Sequence, residues 1–284
     1  MKTQHFAEDY NKLVQSKLAS QDRPRAMEAS IGGNFQTFGR YQRQLLQQQG
    51  LSEQGTLLDL GCGAGRLAHA LRDLPLHYVG IDVVQELLDY AAEICQRPDW
   101  HFIKSTDLTI PLQDDSVDMV CAFSLFTHLL HEETYAYLAE ARRVLKPGGK
   151  IVFTFLEFAV PEHWAVFVTN LLQLRQRVHL NQFIEASTLP IWCRHLRLDV
   201  LQITPGNVPY IQLTENTPAS SVSLGQSLCV LQKPHAATDR VWAQLPEGFD
   251  PQSYLAANPD VAQAGIDAAA HYLAEGQYEN RPLQ

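Results

Sequence analysis

Short apolar runs alternate with amphipathic segments through the first half of the chain. The runs predict β-strands at residues 56–60, 77–82, 100–104, 117–123 and 150–157. Most of the intervening segments repeat apolar positions every three or four residues, which is the pattern of a helix that packs one face against a sheet. A regular succession of strands and helices forms a parallel sheet with helices on both faces. The pattern therefore predicts a doubly wound α/β fold.

The pattern is less regular on either side of this core. Residues 1–30 are polar and predict a partly helical lead-in. Residues 35–49 carry their apolar side chains on one helical face, so this helix either covers the first strand end as a lid or packs without contacting a ligand. The remaining predictions are a helix at 161–180, strands at 196–203 and 227–232, and a long loop at 204–225.

Residues 233–235 are predicted to close the main domain, and the composition changes from residue 248. We therefore divide the chain into a lead-in (residues 1–30), a main domain (31–235) and a small helical unit (236–284). A unit of this size without cysteine pairs builds little core alone, so we expect its short helices to dock on the main domain or on a partner.

Composition and charge narrow the classes of function. The chain has 284 residues and a formal net charge of −9, which disfavours a partner bound through nucleic-acid phosphates. Its five cysteines form no closely spaced pair, so we expect neither a disulfide framework nor a zinc site, and no other metal site is evident. No apolar run is long enough to cross a bilayer, and the polar N-terminus does not resemble a secretion signal. These features predict a cytoplasmic protein without a membrane span.

The most informative stretch joins the first strand to the next helix. Residues 57–66 read Leu-Leu-Asp-Leu-Gly-Cys-Gly-Ala-Gly-Arg, with glycines at alternate positions. Glycines allow a tight turn and let a ligand come close to the main chain. Asp59 beside this turn suits a ligand with a cationic group and would repel a pyrophosphate.

A second acidic residue ends the next strand. Asp82 lies about twenty residues beyond the glycine turn, where a carboxylate in doubly wound folds accepts hydrogen bonds from ribose hydroxyls. Alternatively, Asp82 caps the helix that follows. Ligands of such sheets bind beyond the carboxyl ends of the strands. The candidate residues at or just past those ends are Asp59, Gly61, Gly63, Asp82, Asp107, Ser124, His128 and Glu157.

Four ordered motifs carry a resemblance to a known family. Residues 57–66, 80–82, 118–123 and 145–150 together resemble the class I methyltransferases that use S-adenosylmethionine. The resemblance covers residues 32–233. It implies a Rossmann-like sheet of seven strands, the last of them antiparallel, and S-adenosylmethionine as the cofactor.

The resemblance also assigns roles to individual residues. It implies that Gly61, Gly63 and Gly65 line the methionine part of the cofactor and that Asp59 lies near its amino group. It further implies that Asp82 accepts hydrogen bonds from the ribose hydroxyls. The other members of the cofactor set are Cys62, Arg66 and Val83, with Asp107 and Leu108 flanking the adenine and Ser124 near the methionine carboxylate or the acceptor.

Methyl transfer to an alcohol also needs a group that removes the hydroxyl proton, and a histidine suits this role near neutral pH. His128 is the leading candidate because it follows the end of the fourth strand. The alternative is that His128 packs against or caps the next helix. The other candidate bases are His131, Glu157 and His163.

Two finer resemblances indicate an acceptor. Residues 31–35 and 124–129 look like methyltransferases encoded beside glycosyltransferases in bacterial surface-polysaccharide pathways. Residues 249–281 resemble a short module of bacterial glycan-related and cell-surface proteins, and differ from it at Asn280, where glycine is usual.

These resemblances lead to a prediction of function. We predict an S-adenosylmethionine-dependent O-methyltransferase that acts on a sugar hydroxyl of a bacterial surface glycan or its precursor, with a glycosyltransferase as partner of the C-terminal module. The alternatives are a small-molecule methyltransferase of secondary metabolism or quinone synthesis, and a cofactor-binding scaffold that recruits glycan enzymes.

Overall fold

The structure is a computed structural model of the chain. It describes residues 5–175, 181–213, 220–235, 245–246, 248–276 and 281–284. The chain divides into two compact units, Met1–Thr238 and Asp239–Gln284. Asn280, the position at which the C-terminal module departs from its pattern, lies outside the described residues.

The larger unit is built on a seven-stranded sheet with the strand order β3-β2-β1-β4-β5-β9-β6. Strands β1 to β5 are parallel to one another, whereas β9 runs antiparallel to both β5 and β6. The Rossmann-like sheet with its last strand antiparallel is therefore confirmed. The strands of this sheet are β1 (Thr56–Leu60), β2 (His77–Asp82), β3 (His101–Lys104), β4 (Val117–Ala122), β5 (Leu145–Phe155), β6 (Asp199–Thr204) and β9 (Ser227–Gln232).

Helices flank the sheet and precede it. The first two helices were predicted only as a partly helical lead-in, and they belong to the larger unit. The helices of this unit are α1 (His5–Ser20), α2 (Arg23–Ser30), α3 (Phe35–Gln48), α4 (Arg66–Leu71), α5 (Gln85–Cys95), α6 (His131–Val144), α7 (Trp164–Gln173) and α8 (Thr188–Leu196). A short 3₁₀ turn, Pro161–His163, leads into α7.

The central strands are apolar because helices cover both of their faces. Leu57 and Leu58 of β1 and Val120 of β4 are fully buried. Leu58 is in register with Val79 of β2 on one side and with Val120 on the other. Because these strands are parallel, their carboxyl ends lie at one edge of the sheet, and the candidate residues follow those ends.

In the second half of the chain, two predicted strand starts were wrong and one helix was missed. Leu196 is the last residue of helix α8 and Arg197 is its cap. The strand that was predicted to begin at 196 therefore starts at Asp199. The buried positions Leu189, Cys193 and Leu196 have the spacing of one helical face, which the sequence analysis did not recognise. The last predicted parallel strand begins at Leu145 rather than at 150, so the Pro-Gly-Gly segment forms part of β5.

The loop predicted at 204–225 contains a two-stranded hairpin of β7 (Ile211–Leu213) and β8 (Ser220–Val222). Gln48 of α3 holds β7 through two hydrogen bonds with the main chain of Gln212, of 2.6 and 3.2 Å. Of the helix predicted at 161–180, residues 176–180 lie outside the described residues. The hairpin was missed because its short alternating pattern is surrounded by Pro, Gly, Ser and Thr.

The smaller unit consists of the short helices α9 (Pro251–Ala257), α10 (Pro259–Gln263) and α11 (Ala268–His271), followed by a π-helical turn at Tyr272–Gly276. The expected small helices are confirmed. Tyr254 is fully buried, and its hydroxyl is 2.9 Å from Nδ1 of His271. A side chain at Gly276 would meet the Tyr254 hydroxyl, so the turn requires a glycine there.

No helix in the described part of the chain combines the length and the apolar character that a membrane crossing requires.

Lys233 joins the last strand to the end of α6, and its loss is expected to destabilise the larger unit. The side chain is buried, and its Nζ donates hydrogen bonds to the carbonyls of Arg142 and Leu145 and to Asp115 Oδ1, at 3.0, 2.7 and 2.6 Å. We expect Lys233→Met to lower the free energy of unfolding by about 2–4 kcal/mol, because three acceptors lose their donor. Urea denaturation measures this change.

Lys146→Met is the matched control for Lys233→Met. Lys146 also pairs with a carboxylate, Asp118, at 2.8 Å, but both side chains are partly exposed. We expect this change to lower the free energy of unfolding by less than about 1 kcal/mol. Equal losses for the two variants would contradict the role assigned to Lys233.

Candidate cofactor cleft and active site

A cleft of about 390 Å³ opens at the carboxyl ends of β1, β2 and β4 and at the start of β9. Its floor comes from the strand ends and its roof from α1 and α2, through Phe6, Tyr10, Leu13 and Ser30. The roof was not predicted as part of the site. Phe6, Tyr10 and Leu13 recur at steps of four and three residues, so their helical spacing could have indicated it.

The roof helices are anchored by apolar packing. Val14 of α1 and Met27 of α2 are fully buried in one cluster with Ala64 of the glycine turn and Leu87 of α5. The polar residues of this segment therefore form the outer face of an amphipathic pair that belongs to the fold.

The glycines of the turn are required for two different reasons. Gly61 and Gly63 line the cleft with φ values of +70° and +54°. A Cβ on them would lie 3.0 Å from Leu125 and 2.7 Å from Ile31. Gly65 also has a positive φ, but it packs against Ala91 of α5 and does not line the cleft.

Asp82 closes the turn from the end of β2. Its Oδ2 accepts a hydrogen bond from Gly63 N at 2.9 Å, and its Oδ1 accepts one from Val84 N at 3.0 Å. Burial raises the pKa of Asp82, and the main-chain N–H groups oppose this rise by favouring the carboxylate. The side chain lines the cleft together with Val83. Asp82 contacts the residue that caps α5, Val84, but is not itself that cap.

Asp59 lies deeper, beneath the turn. Its Oδ2 accepts a hydrogen bond from the Tyr78 hydroxyl at 2.7 Å, and its Oδ1 accepts one from the Cys121 thiol at 3.5 Å. Burial raises the pKa of Asp59 to about 6, and the nearby Asp82 carboxylate adds to the rise. The ionised carboxylate of Asp59 is therefore less stable than an exposed one, and a cationic group of a bound ligand could stabilise it.

Neutralising Asp59 is expected to stabilise the ligand-free protein. The pKa of Asp59 in the folded chain lies above its unfolded value, so the folded state holds the extra proton between about pH 4 and 6. The contribution of this group to stability therefore falls as the pH rises through that window. We expect Asp59→Asn to raise the free energy of unfolding at pH 7 by about 1–3 kcal/mol and to weaken the binding of S-adenosylmethionine.

Urea denaturation of wild type and Asp59→Asn at pH 4 and pH 7 measures this effect, and calorimetry measures the affinity. The stability difference should shrink at pH 4, where the wild-type carboxyl is protonated in the folded state and about half protonated in the unfolded state. A variant that is less stable than wild type at pH 7 would contradict the assignment.

Arg66 connects the turn to the segment that joins α2 and α3. Its Nη1 donates to the carbonyls of Ile31 and Gly33, both at 3.2 Å, and its guanidinium lies over the Phe38 ring. Its Nε is buried, and no described residue accepts a hydrogen bond from it. The Arg66 guanidinium is thus a cation on the cleft wall whose Nε–H can donate a hydrogen bond to the carboxylate of a bound amino-acid group.

Helix α3 packs against α4 and also reaches the cleft. A Cβ on Gly39 of α3 would lie 2.8 Å from the carbonyl oxygen of Arg66, so the two helices are in close contact. One α3 residue, Gln42, lines the cleft. The structure thus shows the packing of α3, and a ligand contact through Gln42 stays a prediction.

The structure does not bring every predicted cofactor residue into the cleft. Cys62 lines it and is buried, whereas Asp107 and Leu108 are not part of the lining. Ser105 and Tyr137 lie there instead, and the Tyr137 hydroxyl donates to the Asp107 carbonyl at 3.1 Å. Tyr137 lies on α6, so nothing in the sequence near the third strand could have indicated it.

Of the four candidate bases, only His128 lines the cleft. Its ring meets the Tyr10 ring edge-on, with centroids 5.3 Å apart. A tight turn after β4 returns the chain at this point, with His128 N donating to the carbonyl of Leu125 at 3.0 Å. His128 is thus held between the strand end and the roof.

The other three candidates are occupied elsewhere. His131 Nε2 is 2.8 Å from the carbonyl oxygen of Phe183, on the outer side of α6. Glu157 accepts a hydrogen bond from the Ser227 hydroxyl. Both ring nitrogens of His163 are engaged, Nδ1 with the main chain of Glu157 and Nε2 with the carbonyl of Gly225, each at 3.1 Å.

Residues 58–153 run from within β1 to within β5 and include the glycine turn. They match the methyltransferase domain. The matched segment includes the cleft residues Asp59, Asp82 and His128. Together with the sheet topology, the match indicates a methyltransferase domain with a Rossmann-like sheet in this part of the chain.

Relatives of known sequence agree with the domain match. The chain is 31% identical to an uncharacterized methyltransferase of Schizosaccharomyces pombe over 142 residues, which are 49% of this chain and 54% of that protein. It is 28% identical to a ubiquinone biosynthesis O-methyltransferase of Xanthomonas oryzae pv. oryzae over 157 residues, which are 52% of this chain and 64% of that protein. The chain thus spans less than two thirds of either relative.

Solved structures share the fold of the methyltransferase domain. A chain in the complex between the Trm112 methyltransferase activator and a methyltransferase of Haloferax volcanii superposes with a TM-score of 0.55 at 20% identity, and covers 83% of this chain and 100% of that one. A methyltransferase of Aquifex aeolicus gives a TM-score of 0.50 at 17% identity, with 75% of this chain and 98% of that one covered. At these identities the likeness shows the fold alone.

The cleft also fits S-adenosylmethionine chemically. Gly61 and Gly63 leave the main chain open to a ligand, and Asp82 presents a carboxylate at the strand end that suits ribose hydroxyls. Asp59 and Arg66 supply an anion and a cation, matching the charged amino and carboxylate groups of the methionine part.

Proposed function

We propose that this chain is an S-adenosylmethionine-dependent O-methyltransferase. The observation that carries the proposal is the single cleft that contains the glycine turn, Asp59, Asp82 and His128 within a matched methyltransferase domain. The cofactor residues lie over β1 and β2, and His128 lies beyond β4, so one cleft holds a cofactor end and an acceptor end.

In the proposed reaction, the chain aligns two ligands and moves one proton. When bound, S-adenosylmethionine would supply an electrophilic methyl group to the acceptor oxygen, and its sulfur would keep the electron pair of the carbon–sulfur bond. Asp59, Asp82 and Arg66 hold the cofactor end, which fixes the direction of attack. His128 takes the hydroxyl proton of the acceptor. The roof helices exclude water from the cleft.

We propose a sugar hydroxyl of a bacterial surface glycan or its precursor as the first candidate acceptor. It is supported by the resemblance of residues 31–35 and 124–129 to methyltransferases of such pathways. The C-terminal unit would bind a glycosyltransferase of the same pathway. This partner is tested by co-purification with the full chain. The partner should no longer co-purify with a Tyr254→Ala variant, because this change disrupts the buried core of the unit.

A phenolic hydroxyl is the second candidate acceptor. It is favoured by the similarity to the ubiquinone biosynthesis O-methyltransferase of Xanthomonas oryzae. A scaffold that binds the cofactor without turnover is the third candidate, but a histidine beside the cofactor end favours an enzyme.

The deciding experiment has two stages. Calorimetry first measures the binding of S-adenosylmethionine to the purified chain, and the absence of binding would refute the proposal. The release of S-adenosylhomocysteine is then measured with a panel of methyl glycosides and a panel of phenols. Turnover of the glycosides supports the first acceptor and turnover of the phenols the second, while binding without turnover on either panel supports the scaffold.

A further inference from the structure

The acceptor end of the cleft contains a carboxamide that sequence reasoning did not single out. Gln226 immediately precedes β9 and lines the cleft. Its side-chain oxygen accepts hydrogen bonds from Thr154 Oγ1 at 2.6 Å and from Ser124 Oγ at 3.2 Å. The amide oxygen is therefore already satisfied from within the protein.

The hydroxyl partners fix which way the amide points. Ser124 N donates to Thr154 Oγ1 at 2.9 Å, so the Thr154 hydroxyl accepts one hydrogen bond and has its own proton to give. Gln226 Oε1 is the acceptor within reach of that proton. The Nε2 group is consequently the part of the amide that is left for a ligand, and no described residue accepts a hydrogen bond from it.

The main chain around Gln226 is held on both sides. The Tyr210 hydroxyl donates to the Gln226 carbonyl at 2.8 Å. His163 Nε2 contacts the carbonyl of the preceding Gly225, and Glu157 accepts a hydrogen bond from the following Ser227. The two residues that were candidate bases thus act in positioning this segment. A donor fixed by so many contacts loses little conformational entropy when it binds a ligand.

Ser124 connects the carboxamide to the turn that carries the proposed base. Ser124 touches Gln226 and begins the turn that carries His128, in which Thr127 Oγ1 donates to the Ser124 carbonyl at 2.7 Å. Ser124 has a φ of +58°, a conformation that non-glycine residues seldom adopt. This strained turn connects Gln226, through its contact with Ser124, to His128, and both residues line the cleft.

We infer that Gln226 is a specificity-determining residue that donates a hydrogen bond to a second oxygen of the acceptor, next to the hydroxyl that is methylated. The acceptor class is accordingly a neutral compound with two neighbouring oxygens, either an aromatic catechol or a saturated vicinal diol of a sugar. This inference rests on the proposed O-methyltransferase function. His128 would deprotonate one oxygen while Gln226 Nε2 holds the other, so the diol has one orientation at the methyl group.

The test compares diols with their single-hydroxyl analogues. The probes are catechol against phenol, and methyl α-D-mannopyranoside and trans-1,2-cyclohexanediol against cyclohexanol, with S-adenosylmethionine as the methyl donor. We expect wild type to methylate one class of diol at least tenfold more efficiently in kcat/KM than its analogue. Catechol turnover identifies a phenolic source and turnover of the saturated diols identifies a sugar source.

Gln226→Glu is the decisive variant. The glutamate keeps the shape and can accept the same two hydrogen bonds, but its second oxygen replaces the Nε2 donor and can only accept a hydrogen bond from the ligand. A diol hydroxyl can donate to that oxygen, whereas the ether oxygen of 2-methoxyphenol or trans-2-methoxycyclohexanol cannot. We expect kcat/KM for the methoxy compound to fall at least tenfold, the affinity for S-adenosylhomocysteine to stay within twofold, and the preference for the diol over the methoxy compound to rise at least tenfold. The last effect would not follow from a structural defect.

Gln232→Glu is the matched control. Gln232 is the last residue of β9, the strand that follows Gln226, and its amide contacts the Gly148 carbonyl outside the cleft. We expect it to keep the wild-type preference. If wild type binds S-adenosylmethionine but methylates phenol or cyclohexanol as well as the diols, or methylates no diol, the inference is overturned. An unchanged preference in Gln226→Glu also overturns it. Failure to bind S-adenosylmethionine refutes the proposed function instead.

Discussion

Replacing His128 with glutamine is expected to lower kcat by about 10²-fold or more while leaving the affinity for S-adenosylhomocysteine nearly unchanged. The imidazole lines the acceptor end of the cleft, packed edge-on against Tyr10, and it is the proposed acceptor of the hydroxyl proton. Glutamine retains a polar side chain of similar reach but cannot take up a proton near neutral pH. Initial rates of S-adenosylhomocysteine release and calorimetry measure the two quantities separately.

His131→Gln is the control for this prediction. His131 is three residues further along the chain and was also a candidate base, but its Nε2 contacts the Phe183 carbonyl outside the cleft. We expect this variant to keep kcat within threefold of wild type, a margin that allows for small shifts of α6. A larger loss of kcat in His131→Gln than in His128→Gln would move the base to His131, and equal losses of kcat and cofactor affinity in His128→Gln would make His128 structural.

Asp82→Ala is expected to weaken the binding of S-adenosylmethionine by about 1.5–3 kcal/mol, which is roughly 10- to 150-fold in Kd. The carboxylate is fixed by hydrogen bonds from Gly63 N and Val84 N. These leave lone pairs on both oxygens for the ribose hydroxyls. Calorimetry at fixed salt measures the change.

A ligand analogue separates the ribose contact from the structural role of Asp82. The 2′,3′-dideoxy form of S-adenosylhomocysteine lacks the hydroxyls, so its affinity should fall much less in Asp82→Ala than that of S-adenosylhomocysteine itself. The difference between the affinity losses of the two ligands in Asp82→Ala measures the direct contact of Asp82 with the ribose hydroxyls. Equal losses for both ligands would mean that Asp82 only supports the turn through Gly63.

The cofactor end of the site could be predicted because its requirements are local. A buried strand, a glycine turn and a helix start are encoded within residues 57–66, and the main-chain conformation at Gly61 and Gly63 excludes most other residues. The spacing from this turn to Asp82 follows from one strand–helix–strand unit. Burial of Asp59 also follows, because it lies within a central parallel strand.

Asp107 and Leu108, predicted at the cofactor end, lie outside the cleft lining for a specific reason. Asp107 follows the third strand, as the resemblance requires, but the cleft wall beside it is formed by Tyr137 of α6. A residue's position at a strand end is encoded locally, whereas the side chains that cover it come from elements distant in sequence. The same reason explains why the roof residues Phe6 and Tyr10 were missed.

The sequence by itself determined the strands and helices of the first half, the glycine turn and the acidic residues around it, because these depend on main-chain conformation and on the spacing within one repeated unit. Only the tertiary structure decided the acceptor end. Glu157, His163 and His128 all follow strand ends in the sequence, and the insertion of antiparallel β9 beside β5 engages the first two with Ser227 and Gly225. That pairing joins segments about 70 residues apart and brings Gln226 to the cleft, and no local pattern encodes such a contact.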